Sequence, residues 1–352
     1  MKALLKSIIF VITFTFSTSC KYGDKYNDCS YFSFKDFQKD ILLKSCNINF
    51  DEPIMLPGVL AVKDSVLFVQ NKKTENLLYL YNLNSLAKIK ECIPFGMGPN
   101  EFLRIKNIQI KDSCIYISDN QKGNITRYRV NDIICKEDPI PIDKTTIEMP
   151  FNTIIKENDL YVATTMNPHN KRLCFFNEKG DFIKTKGEFP TLKKQLSPIE
   201  NMESFLSEMT FNTNNNRLFV FCMQTDLLEI YTQDGELIKR LHGPEHFYPH
   251  IKEVQTQGGY SKISSAKGEA RDAYFTPISV EDKIYVSYSG TIRTPGKISP
   301  IKNILVFDSN GNPLIRYRLP EPILRFTVCP KTKTIYAISD QPEYHIIKLT
   351  EE

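Results

Sequence analysis

The chain has 352 residues, of which 41% are hydrophobic and 24% charged, and a formal net charge of +4. That balance is globular rather than disordered or fibrous, and the charge gives no concentrated basic surface, so no nucleic-acid partner is expected. The 23 Phe and 17 Tyr are accompanied by no Trp, which excludes every motif built on Trp.

Residues 1–19 open with Lys2 and Lys6. They continue through an apolar stretch from Ile8 to Phe16, broken only by threonines, and end on Ser17, Thr18 and Ser19 before Cys20. This is the layout of a secretory signal peptide, shorter than the ~20 apolar residues of a membrane span. Small residues directly before a cysteine resemble the bacterial lipoprotein signal. The resemblance implies cleavage before Cys20, a diacylglyceryl thioether on its sulfur and an acylated amino group, a stable anchor without a span. Lys21 after the cysteine resembles outer-membrane sorting more than inner-membrane retention. The alternative is a plain signal peptide with an incidental cysteine. Residues 20–39 then read as a lipid-anchored tether in the cell envelope, with the leaflet left open, and residues 40–352 as the folded domain.

The remainder repeats. Val62-Lys63-Asp64-Ser65-Val66-Leu67-Phe68 matches Ile110-Lys111-Asp112-Ser113-Cys114-Ile115-Tyr116, and Ile155-Lys156-Glu157-Asn158-Asp159-Leu160-Tyr161 repeats it. Looser copies end at Leu218-Phe219, Ile284-Tyr285 and Ile335-Tyr336. In each, an apolar strand meets polar turn formers and an aliphatic-aromatic pair opens the next strand. Further apolar strands follow, such as Leu78–Tyr81, Ile125–Tyr128 and Leu228–Tyr231. Three such strands run into Lys179-Gly180, Asp234-Gly235 or Asn310-Gly311, pairs suited to a tight hairpin. Four antiparallel strands per repeat, six times over, predict an all-β, six-bladed β-propeller. A β-sandwich or two barrels with chance similarity is the competing fold, and the matched register of the first three copies argues against it.

Gly96-Met97-Gly98-Pro99-Asn100-Glu101-Phe102, followed by Ile115-Tyr116-Ile117-Ser118-Asp119, resembles the NHL-type repeat. Gly243-Pro244-Glu245-His246-Phe247 and Gly187-Glu188-Phe189-Pro190 are degraded copies. With the lipoprotein start, the chain resembles the TolB-like propeller lipoproteins of Gram-negative envelopes over roughly residues 40–350. The resemblance is specific for fold and weak for function. The last repeat lacks an outer strand, and Ile41–Phe50 is the expected donor that closes the ring and removes two open sheet edges.

Nine cysteines include no CxxC pair. Cys20 apart, eight allow 105 disulfide pairings, and most read as buried free thiols. Long insertions at 190–207, 248–273 and 289–301 all fall on one face of the expected propeller, where binding or neutral drift would explain them. Around that mouth the starts of the inner strands nominate Arg104, Asn152, Glu208, Arg271, Asp272, Tyr274 and Arg325. Three arginines could clamp a carboxylate or acidic sugar, or be solvated charges paired with Glu208 and Asp272. His242, His246 and His250 lie four apart, but Pro244 and Pro249 disfavour the helix that would bring them together, so no metal is expected. No catalytic, dinucleotide or phosphate-loop signature is present, and no cofactor or catalytic residue is assigned. Two readings stand: a membrane-anchored binding or scaffolding propeller offering its long-loop face to a protein or envelope glycan, or a hydrolase or lyase acting on a sugar or lactone in the channel. For the second, Glu208, Asn152 and Asp272 could imitate the metal ligands of propeller lactonases.

Overall fold

Six blade sheets follow one another along the chain, with one two-stranded hairpin besides, in the computed structural model, which describes Tyr26 and residues 29–52, 54–72, 74–167, 169, 171–192, 194–255, 261–265, 268–294 and 299–351. The leader and Cys20 lie outside the described residues. The inner strands of blades 1 to 6 are Pro57–Lys63, Asn107–Lys111, Phe151–Glu157, Ser207–Asn212, Tyr274–Val280 and Arg325–Val328. Each lies against the next, and the sixth lies against the first. The fold is a six-bladed β-propeller with antiparallel blades.

The repeat read from the sequence is the hairpin joining each inner strand to the second. Its turn holds one residue with positive φ in every blade: Asp64, Asp112, Asn158, Asn216, Glu281 and Lys333. Asp and Asn tolerate that left-handed conformation better than other non-glycine residues. Gly180, Gly235 and Gly311 likewise adopt positive φ in the turns from third to outer strand. At Gly180 a Cβ would sit 2.1 Å from the Thr146 carbonyl of the preceding blade, so that turn also needs glycine for close approach.

The core lies between blades rather than at the centre. Phe219, Phe221, Leu228 and Ile230 of blade 4 pack with Tyr274, Ile284, Val286, Leu305 and Phe307 of blade 5. At about 1.5–3 kcal/mol for each fully buried large apolar side chain, these interfaces hold neighbouring blades together.

The N-terminal chain forms a belt around half the ring. Tyr26 is buried, its hydroxyl 2.8 Å from Thr225 Oγ1. Cys29–Tyr31 pairs in parallel with the outer strand of blade 4, Leu237–His242. Phe32 and Phe37 enter the core between blades 4 and 5, and Lys39–Leu42 pairs in parallel with Pro313–Ile323 of blade 5. Lys44–Ile48 then runs antiparallel to His345–Thr350 as the fourth strand of blade 6. The folded unit therefore extends N-terminal of residue 40, because the rings of Tyr26, Phe32 and Phe37 are removed from water and a free tether would expose them.

Connections from outer to inner strands and from second to third strands share one face. There the Pro198–Ser204 helix carries a capping box between Ser197 and Glu200. It packs on a hairpin of Ile251–Gln255 and Ser261–Ser265. Ser197 Oγ donates to Glu253 at 2.8 Å, and the Glu253 N–H donates to Glu200 at 3.1 Å. Two of the long insertions are thus a joined substructure. None of the eight described cysteines is in a disulfide, and among the described residues no helix is long and apolar enough to cross a membrane.

Candidate functional site: a basic channel mouth

The inner strands surround a channel cavity of about 460 Å³. A second cavity of about 500 Å³ opens beside its mouth, lined by Lys72, Asp272, Phe275, Arg293, Arg325 and Tyr344 among others. Arg325 lines both.

Glu208 crosses this mouth from blade 4. One oxygen accepts from the Lys106 ammonium of blade 2 at 3.3 Å, and the other from the Thr276 N–H of blade 5 at 2.7 Å. The second contact depends on an irregular strand. Pro277 has no N–H for the sheet ladder, the register slips between Phe275 and Ile278, and Thr276 adopts φ of 53°. That conformation is costly for a β-branched residue, and it turns the amide into the channel. Inner strands of blades 1 and 3 also slip, at Pro57/Leu60 and Phe151/Ile154, whereas blades 2, 4 and 6 carry Lys106, Glu208 and Arg325 at the mouth.

The charge is unbalanced. Burial pushes the Glu208 carboxyl up, but Lys106, Arg325 and the Thr276 N–H outweigh it and hold the group below the usual carboxylate range. Burial lowers Lys106 most; the Glu208 charge opposes this, and the weaker repulsion of Arg325 and Arg104 adds to the lowering. The surplus shows in the partners themselves: Glu208 feels Arg325 as well as Lys106, and Lys106 feels both arginines as well as Glu208. Lys72 is lowered by its crowded surroundings and again by Arg325 and Arg104, although its side chain still reaches solvent. Among the described residues, no carboxylate lies within ion-pair distance of Lys72, Arg104 or Arg325. Lys106 alone of the four cations is matched.

Arg104 owes its place to the NHL-type loop. Asp119 accepts from the backbone N–H groups of Leu103 and Arg104 at 2.7 and 3.2 Å, and from those of Gln121 and Lys122 at 2.9 and 3.1 Å. Lys122 Nζ donates to the carbonyls of Gly98 and Glu101, both at 2.8 Å, while Glu101 accepts from the Gly98 N–H at 2.6 Å. The motif is a rigid bracket.

Of the residues nominated from the sequence, Arg104, Glu208 and Arg325 converge on the mouth. The others do different work. Asn152 donates to the Ser207 carbonyl at 2.8 Å, joining blades 3 and 4. Arg271 pairs with Glu245 at 3.2 Å and lies over the Phe247 ring. Asp272 accepts from Arg293 Nε at 3.0 Å and Ser299 Oγ at 2.6 Å on the wall of the side cavity. Tyr274 is a correction: its side chain is fully buried against Phe221 and Tyr288 and its hydroxyl donates to the Gly243 carbonyl, so it cannot meet a ligand in the channel. Strand alternation sends it into the core rather than the channel. Glu208, Asn152 and Asp272 each have their own partners, and among the described residues no group of three His, Cys, Asp or Glu side chains is placed to hold a metal ion. His242 pairs with Asp226 at 3.0 Å, His246 Nε2 lies 2.7 Å from the Phe32 carbonyl, and His250 pairs with Glu269 at 3.1 Å.

Lys72 and Lys106 were missed. Lys72 follows the second strand Val66–Asn71, whose end faces the same mouth. Lys106 immediately precedes the inner strand of blade 2. A count of second-strand ends as well as inner-strand starts would have found both.

The solved structures similar to this one include a member of the DUF4221 family from Bacteroides vulgatus. It has 10% identity and a TM-score of 0.55, with 90% of this chain and 100% of that one covered. A candidate exported protein from Bacteroides fragilis has 11% identity and a TM-score of 0.55, covering 92% and 100%. At such identities the likeness is one of fold. No curated protein matches the sequence. The TolB-like 6-blade propeller-like family model matches residues 34–331, a span that takes in all six inner strands and the basic mouth, and the chain belongs to that family.

Proposed function

We propose that this is a binding propeller of the cell envelope, lipid-anchored through Cys20, whose long-loop face takes an anionic group carried by an envelope glycan or protein. The observation that carries the reading is the surplus of cations at the mouth: Lys72, Arg104 and Arg325 surround a Glu208–Lys106 pair and lack carboxylate partners of their own among the described residues. Unmatched cations gathered beside two cavities attract an anion, and planar guanidinium groups suit carboxylates and phosphates. Arg325 also stacks over Phe275, 5.6 Å from the ring centroid, which presents its guanidinium at the shared wall of the cavities. The lipoprotein-type leader supports export, as does the fold shared with a candidate exported protein. A rigid ring that carries its long loops on one face suits display of a binding surface.

Calorimetric titration with an oligogalacturonate, against a neutral oligosaccharide of equal length, tests this. The acidic ligand is expected to bind with salt-sensitive affinity. Arg104→Ala combined with Arg325→Ala is expected to cost about 3 kcal/mol, near a hundredfold. Unchanged affinity in the double variant discards the clamp.

A further inference from the structure

Resting on the lipid-anchor reading, we infer that the long-loop face is turned toward the bilayer, so that the basic mouth lies over anionic lipid headgroups. The point at which the chain enters the fold carries the inference. Tyr26 is buried at the long-loop end of blade 4, hydrogen-bonded to Thr225 in a second-to-third loop and packed on Phe205, His242 and Tyr248. Cys20 is six residues upstream, and at ~3.3–3.6 Å per residue its Cα lies within about 22 Å of that point and the lipidated sulfur within about 24 Å. The outer strand of blade 4 at that point, Leu237–His242, has six residues and at ~3.3 Å per residue is about 20 Å long. Only a fully stretched tether runs the height of the blade, and the turns beyond the strand use up what is left. A slack tether keeps the long-loop face, where the chain enters, nearest the membrane.

Two further features of the long-loop face fit this occupant. Its loops hold exposed apolar side chains spread around the ring, at Met55, Phe95, Met97, Met166, Val254 and Ile292. The mouth they encircle carries the unmatched cations Lys72, Arg104 and Arg325, complementary to a negative surface. Apolar exposure alone does not choose a face, since Leu86, Ile140 and Ile142 are exposed on the other side. Chain entry and charge do choose it.

The absence of Trp makes the test direct, because one introduced indole is the only one in the molecule. Met97→Trp places it on the long-loop face at a residue 74% exposed, and Ile140→Trp places it on the opposite face at one 71% exposed. The full chain, exported and processed, is reconstituted in vesicles of phosphatidylcholine with or without phosphatidylglycerol, both doped with brominated lipid. The M97W indole is expected to be quenched and blue-shifted in the anionic vesicles, and the I140W indole to be unaffected. Adding Lys72→Ala and Arg325→Ala to M97W is expected to remove the difference between anionic and neutral vesicles. Quenching of I140W, or of neither indole, overturns the orientation; quenching of M97W that is equal in neutral vesicles overturns the headgroup as occupant. The mass of the mature N-terminal peptide separates the two readings. An unmodified Cys20 defeats the anchor and this inference with it, whereas a lipidated Cys20 with the wrong indole quenched leaves the anchor standing.

Discussion

The buried triad of Arg172, Glu229 and Arg240 offers the sharpest test of how the blades are held together. Glu229 is wholly inaccessible, and its two oxygens accept from Arg172 Nε and Arg240 Nε, each at 2.7 Å. Arg172 also donates to Ser207 Oγ at 2.9 Å, and Arg240 to the Glu188 carbonyl at 2.6 Å, so the triad ties blade 3 to blade 4. Glu229→Gln keeps the shape and removes the only negative charge, leaving two guanidiniums buried without a counter-ion. Breaking a buried pair in this way costs about 3–5 kcal/mol, a large part of the ~5–15 kcal/mol that holds a domain folded. The pH dependence has a definite sign. Burial would raise the Glu229 carboxyl, but the charges of Arg172 and Arg240 outweigh it and hold the group below the usual range. Its stabilisation is therefore complete above the unfolded value of ~4.3 and is lost as pH falls through the lower folded value. Urea unfolding of parent and variant at pH 7 and again near pH 3 should show the full difference at the first and a diminished one at the second. A difference under about 1 kcal/mol at pH 7 would refute the account, as would one that persists undiminished in acid.

Other perturbations separate ligand binding from architecture. Glu208→Gln removes the carboxylate paired with Lys106 at the mouth and is expected to tighten acidic-ligand binding by on the order of 1 kcal/mol while lowering stability, seen by titration and thermal melting; weaker binding would contradict the surplus-charge reading. Asp226→Ala deprives the backbone N–H groups of Glu245, His246 and Phe247 of their acceptor, which should cost about 3 kcal/mol or more in urea unfolding. Deleting residues 40–50 removes the fourth strand of blade 6 and is expected to abolish the cooperative transition; a truncated protein that melts cooperatively at the parent temperature rejects that strand as essential.

The propeller was legible because its turns obey local chemistry. Asp64, Asp112 and Asn158 occupy the same left-handed position in three successive hairpins, and the repeat stood out there. In blades 5 and 6 that position is held by Glu281 and Lys333, which are less suited to it, whereas blade 4 keeps Asn216 in a longer turn, between Asn212 and Arg217, and its copy is looser for that reason. The mouth was harder to read. Arg104, Glu208 and Arg325 emerged by counting strand starts, but Tyr274 occupies a strand start too and points into the core. A one-residue difference in register decides between channel and core, and composition does not report it. The belt was hidden for another reason. Cys29–Tyr31 and Lys39–Leu42 are short, partly exposed edge strands without a strong apolar alternation, so they resemble a linker. The aromatic cluster of Tyr31, Phe32, Phe34 and Phe37 was the signal that they are not.

The belt also sets a timetable for biogenesis. Residues 29–48 leave the ribosome early, yet their partners appear late and in order: Arg240–His242 first, Ile315–Arg318 next and Ile346–Thr350 near the end of synthesis. The leading segment must stay available while about 300 residues follow it, docking on each blade as that blade arrives. Any chain cut short before residue 346 would leave the sixth blade and the Lys44–Ile48 strand both without a neighbour, marking incomplete molecules by their exposed sheet edges for the proteases that clear them.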